Sequence, residues 1–468
     1  MSLETRVFVG TTALACAVVA GFSGVSLHAQ NVQAPGGFME SATSAGLRLK
    51  LLPAEIQTFL PSRGAFMFPK PYSTQAVRVT NASDCGGGDC VRAVGYSYWS
   101  NTNNHVGSET MLVFLGLARQ QGGNGPTLFS YNKNTGLVRN EGPLFGPDSP
   151  YSWATGEGWY FSATQPTTLY VNLPQSSSLQ RYDVLSHQMT TVFDVASRPD
   201  IFGSNRYIWQ FHSSADDTVH SATLKDTATY DDLGCFAYRE RSGQFFYYPQ
   251  KGFRYDECQI DKSGRWLVIK EKLGVDPASE VDNRVIDLQT GVEQDLLDRD
   301  GAGGHSDNGF GYMVAADNYN PQPGAVRLWN FSADLRGGEP VASVPGQGTL
   351  VYQSTSWDVD VGHVAFGNAR AGVPIDQQYV CSGNANRKLL PRANEILCYR
   401  LDGSLETLVV APNLTDLDAP GGGSDDYWKL PKGNLDVTGE YYIWTGNAGT
   451  NRLDAFIVRI PKAQLGGS

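Results

Sequence analysis

Two short local patterns return along most of the chain, and their spacing limits the folds open to it. The first is a strand, a polar turn ending near a glycine, and another strand. It occurs at residues 130–136, 181–186, 238–243, 285–291 and 399–403, with a looser copy at 328–332. Such turns join antiparallel strands, because Asn, Asp and Gly tolerate the left-handed backbone that a hairpin needs. The second pattern is a polar or aromatic residue, a short acidic turn, then an alternating apolar strand. Its best copies are 259–269 and 434–444, and its copies start at 105, 153, 212, 259, 305, 357 and 434, spaced 46 to 77 residues apart. That period, with four strands per unit, predicts an all-β fold: a β-propeller of about seven four-stranded blades. A β-sandwich would contain far fewer repeats. Helical signals are nearly absent, with one short turn expected at 54–60. The last repeat leaves room for only two strands before Ser468, so residues 75–80 are expected to supply outer strands. N- and C-terminal segments then close the ring and remove its free edges.

Composition agrees with this reading and narrows the function. The chain has 52 glycines, 11% aromatic and only 18% charged residues, which suits short strands and tight turns. The net charge of −11 and the lack of any basic block exclude a nucleic-acid surface. Residues 1–29 read as a signal peptide: Arg6, an apolar run over 7–27, then Leu27-His28-Ala29 before a cut. Residues 30–60 form an N-terminal extension and 61–468 a single propeller domain with an irregular insert at 412–433. No other stretch is apolar enough to span a membrane, so a secreted or periplasmic monomer is expected. Removing Cys16 with the signal leaves six cysteines, which favours disulfides in an exported chain. Sequential pairing is preferred among fifteen connectivities: Cys85 with Cys90, Cys235 with Cys258, and Cys381 with Cys398.

The second pattern places His105, His212, Gln259, His305 and Asn434 at one mouth of the channel. Imidazoles and an amide oxygen suit a divalent ion such as Mn, Zn or Ca. Stretches 261–269 and 285–291 resemble the repeats of TolB-type propellers, in which an acidic-Gly turn feeds the innermost strand. Oligogalacturonate lyases use a propeller of this kind. The resemblance covers two to four repeats and rests on structural motifs. It implies a polysaccharide lyase cleaving uronate-containing glycans by β-elimination, with His212, Gln259 and His305 holding the metal. Such a reaction needs a cation against the carboxylate, a base for the C5 proton and an acid for the leaving oxygen. His105, Arg254 and Tyr255 are the candidate catalytic residues, and Tyr98, Trp99, Asn104 and Arg206 the candidates for holding an acidic oligosaccharide. The alternative is a non-catalytic propeller that binds a glycan or protein through its rim. Other chemistry has less support. Ser213 and Ser214 are not in a G-x-S-x-G elbow. Asp358 and Asp360 form a D-x-D common by chance, and Asp416, Asp418, Asp425 and Asp426 lack calcium-loop spacing.

Overall fold

Alternating apolar residues and glycine-bearing turns build short antiparallel strands throughout the structure, a computed structural model. It describes residues 34–41, 44–92, 94, 96–274, 282–297, 305–318, 322–333, 335, 348–359 and 361–466. The expected signal at 1–29, Cys16 and Asp360 lie outside these residues. The strands form seven sheets, each one blade of a β-propeller. The fourth blade is representative, with strands Arg254–Ile260, Trp266–Lys272, Asp282–Asp287 and Glu293–Leu296 in that order from channel to rim. The first strands of the third and fourth blades, Arg206–Ser213 and Arg254–Ile260, pack on each other, as do those of the fifth to seventh. The outer strands Met189–Asp194 and Gln244–Pro249 are largely open to solvent.

This order corrects one expectation. The acidic turn at Asp261 leaves the innermost strand and feeds the second one, Trp266–Lys272. Asp261 accepts hydrogen bonds from the backbone N–H groups of Arg265 and Trp266, so the carboxylate shapes the hairpin itself. In the fourth and seventh blades the innermost strand therefore precedes the acidic turn, at Asp261 and Asp436. It starts at one face, called upper here, and ends at the turn on the lower face.

Ring closure takes the expected route and adds to it. Asn434–Leu435, Tyr441–Gly446 and Asp454–Arg459 form the inner part of the seventh blade. Gln75–Arg78 and then Gly64–Met67 complete it from the other end of the chain. The last repeat thus supplies three strands, one more than expected, because its innermost strand is only two residues long. Phe38–Glu40 pairs with the outer strand Thr407–Pro412 of the sixth blade, a second staple. Arg48 bridges Glu40 and Glu395 there, and Tyr72 donates to Glu395 at 2.6 Å. A helix, Pro53–Phe59, stands where the short turn was expected.

All three preferred disulfides are formed: Cys85–Cys90, Cys235–Cys258 and Cys381–Cys398. Cys235 lies on the third strand of the third blade and Cys258 on the innermost strand of the fourth, so this bond ties neighbouring blades.

Candidate active site

Side chains of the innermost strands form layers down the channel. Counting back from each turn, His212 pairs with Ser221, Gln259 with Val268 and Asp307 with Val314, which makes these three equivalent. A bulge between Trp209 and His212, with Gln210 at φ 47°, lets both His212 and Ser213 face the channel. Beneath lies a cavity of about 230 Å³ lined from every blade, by Trp99, Tyr160, His212, Gln259, Asn308, Gly367 and Val437 among others. His212 is buried against Tyr98 and Trp99, and its Nε2 has no hydrogen-bond partner among the described residues. Burial pushes this imidazole down to about 4, against the nearby Glu257 carboxylate, so it is neutral at physiological pH.

Glu257 sits at the centre of a closed polar cluster. It accepts from Tyr98 Oη at 2.6 Å, Lys270 Nζ at 2.7 Å and Gln259 Nε2 at 2.8 Å. Burial alone would raise its pKa, but Lys270, His212 and Tyr98 hold it below the usual carboxylate value. Gln259 Oε1 in turn accepts from Asn308 Nδ2 at 2.8 Å.

A second concavity opens on the upper face, where the loops entering the second and seventh blades meet. This cavity of about 310 Å³ is lined by Arg92, Tyr96, Asn101, Glu157, Tyr427, Trp428 and Lys432 among others. The insert at 412–433 builds one wall. Asp425 caps the short helix Asp426–Lys429, Lys429 Nζ donates to the carbonyls of Leu417 and Ala419, and Arg387 pairs with Asp418 and Asp426. These bonds engage Asp418, Asp425 and Asp426. They also present Tyr427, Trp428 and Lys432 to the cavity. Lys432 is 3% exposed, and its Nζ lies 3.0 Å from the Tyr427 ring centroid and 5.7 Å from that of Tyr96. Neither Lys432 nor Arg92 makes an ion pair among the described residues. Burial pushes the Lys432 ammonium down to about 7, although Glu157 and Asp425 pull the other way. Glu157 stands exposed at the cavity wall. Desolvation there raises its carboxyl above the usual value, with Lys432 opposing.

The residues singled out from sequence fall into three groups. Tyr98, Trp99, His212 and Gln259 line the lower cavity. Arg254 is exposed at the upper mouth near Asp256, and His105 lies in a lower-face turn, half-buried, with its Nε2 unpartnered. The others are held in the fold. Tyr255 is buried in the apolar layer between blades with Cys235 and Cys258. Asn104 donates to Asp436 and Thr438, joining the first and seventh blades. Arg206 pairs with Asp226 and the Phe202 carbonyl.

The three residues offered for a metal occupy two layers. His305 precedes Asp307 by two residues, which places it about 7 Å nearer the upper mouth than Gln259 or His212. Its ring packs on His363, centroids 4.4 Å apart, and His363 packs on Tyr96 at 4.8 Å. Among the described residues no group of three or more His, Cys, Asp or Glu side chains is placed to hold a metal ion. With Gln259 Oε1 bonded to Asn308 and the Glu257 charge met by Lys270, the set His212, Gln259 and His305 does not fit one ion here.

Sequence reading passed over Glu257, Lys270, His363, Glu157 and Lys432. Lys270 carried a usable signal, as a charge inside an apolar strand that must find a buried partner. Lys432 carried none, because it sits in an insert outside the repeat.

No family model and no curated protein matches the chain in sequence. Solved structures do match in shape. An oligogalacturonate lyase from Vibrio parahaemolyticus superposes with a TM-score of 0.57 at 9% identity, covering 92% of this chain and all of the other. An oligogalacturonate lyase in complex with manganese gives 0.55 at 11% identity, covering 86% and 98%. TolB from Acinetobacter baumannii gives 0.36 at 8% identity, covering 77% and 82%. At these identities the likeness to the two lyases shows a shared propeller fold.

Proposed function

We propose that this chain is an extracytoplasmic polysaccharide lyase, cleaving uronate-containing oligosaccharides by β-elimination in the upper cavity. The observation that carries the reading is a pair of cations, Arg92 and Lys432, without carboxylate partners in a chain of net charge −11. They share an aromatic-walled cavity with Glu157. Flat rings such as Tyr427 and Trp428 suit the apolar faces of a sugar. Arg92 meets the uronate carboxylate and makes the C5 proton more acidic. Lys432, an amine with a pKa close to working pH, takes that proton. Glu157, with its raised pKa, protonates the glycosidic oxygen as the C4–O bond breaks and the C4–C5 double bond forms. Three disulfides agree with the extracytoplasmic assignment. The lyase fold-neighbours make oligogalacturonate the first substrate to try.

The product double bond absorbs in the ultraviolet, so the assay is direct. Wild-type protein is expected to raise absorbance on oligogalacturonate, and Lys432→Met to lower kcat by about 10²–10⁴-fold. Arg92→Ala should raise KM as well as lower kcat. Binding without any absorbance change, across a panel of acidic glycans, would instead establish the rim-binding reading. A Lys432→Met protein with the wild-type rate would remove the assigned base.

A further inference from the structure

A second constellation lies in the lower cavity and has no part in the lyase reading. Ser213, at the end of the innermost strand of the third blade, lines that cavity and is half-buried. Directly across the hairpin stands His220, fully buried, with its Nδ1 2.6 Å from Ser213 Oγ. The other ring nitrogen, Nε2, lies 2.5 Å from Glu240 Oε1. Arg181 from the second blade also pairs with Glu240. Burial would raise the Glu240 carboxyl, but the bonds from His220 and Arg181 bring it down to about 2. An ionised carboxylate only accepts, so His220 carries its proton on Nε2 and Nδ1 is free to accept from Ser213. Tyr160 Oη, 2.6 Å from Ser213 Oγ, lines the same cavity, and burial keeps the phenol protonated.

We infer that Ser213, His220 and Glu240 form a nucleophilic triad that hydrolyses a small carboxylic ester entering the lower cavity. Triads recur on unrelated folds and are recognised by geometry, so the missing G-x-S-x-G elbow does not count against one on a strand end. Ser213 Oγ bonds to the ester carbonyl carbon while its proton passes to His220 Nδ1. The carbonyl oxygen takes the negative charge, with the Tyr160 hydroxyl as the nearest donor. Collapse breaks the ester C–O bond, and the proton on His220 leaves with the alcohol. Water then repeats the attack on the acyl-serine and releases the acid. Ester and water become acid and alcohol, with no other reactant. A cavity of about 230 Å³ suits a short acyl group, such as acetyl.

The test uses the full chain with a fluorophosphonate probe, followed by peptide mass spectrometry, and p-nitrophenyl acetate hydrolysis. The expected result is a single phosphonylated residue, Ser213, and hydrolysis that falls about 10²–10⁴-fold in both Ser213→Ala and His220→Gln. Lyase turnover and the circular dichroism of Ser213→Ala should match wild type. Folded wild-type protein left unlabelled, labelling at another residue, or unchanged hydrolysis in folded Ser213→Ala would each overturn the proposal. Because labelling is read on wild type, a variant that fails to fold cannot hide the answer. A lyase failure would leave this result untouched.

Discussion

At the scale of single residues, the upper cavity works through two groups shifted toward each other. Burial lowers the Lys432 pKa to about 7 and raises that of Glu157 above 4.5. The reactive form has a neutral amine and a protonated carboxyl, so one proton is shared between the pair. Its population rises with pH through the Glu157 pKa and falls through about 7, where the remaining proton is lost. The kcat/KM profile of the lyase is therefore expected to be a bell with its maximum on the acid side of neutrality. In Glu157→Gln the alkaline limb should vanish and the rate rise to a plateau as Lys432 alone titrates, at a lower pH than in wild type because the Glu157 charge that raises the Lys432 pKa is gone. A wild-type profile that climbs without limit to high pH would contradict the pairing. The channel below is different in kind. Glu257, Lys270, Tyr98 and Gln259 satisfy one another, which fixes them as a structural cluster with a neutral His212 at its edge.

At the scale of elements, the blades were legible because the acidic turns at Asp261 and Asp436 form hairpins that their own carboxylates organise. Positions within the strands were harder. His305-Ser306-Asp307 looks like Gln259-Ile260-Asp261, yet the turn equivalent to Asp261 falls at Gly309, where no acid marks it. Reading it two residues early moved His305 into the layer of Gln259, when its equivalent is Glu257. The first blade hid its inner segment for a similar reason, since that segment meets the sheet through an isolated bridge between Thr102 and Val113 and side-chain bonds from Asn101 and Asn103, with no regular strand. The sequential pairing preferred among fifteen connectivities, by contrast, matches all three bonds. The Cys235–Cys258 bond holds two blades together where apolar packing between strands does the rest. Replacing both residues by alanine should cost about 2–4 kcal/mol, seen as a lower thermal midpoint. An unchanged midpoint in the double variant would show that packing alone sets the blade contact.

Across the whole molecule, stability depends on joining distant parts of the chain. Gln75–Arg78 covers the edge of Asp454–Arg459, and Phe38–Glu40 covers that of Thr407–Pro412. A chain beginning at Asn81 leaves both of these edges bare, and should elute from size exclusion as aggregate. A monomer that still unfolds cooperatively would show that the ring closes without them. Closure was readable in advance from the short final repeat. The site was not, because its cations and rings come from an insert and from loops outside the repeating pattern. The proposed lyase function rests on that upper cavity, and its central claim is elimination without water. The most direct measurement is a mass balance on a cleaved uronate oligosaccharide. Elimination is expected to give fragments whose masses add up to that of the parent, one of them bearing an unsaturated terminal ring. Fragments that add up to the parent plus one water, or an uncleaved substrate, would contradict it.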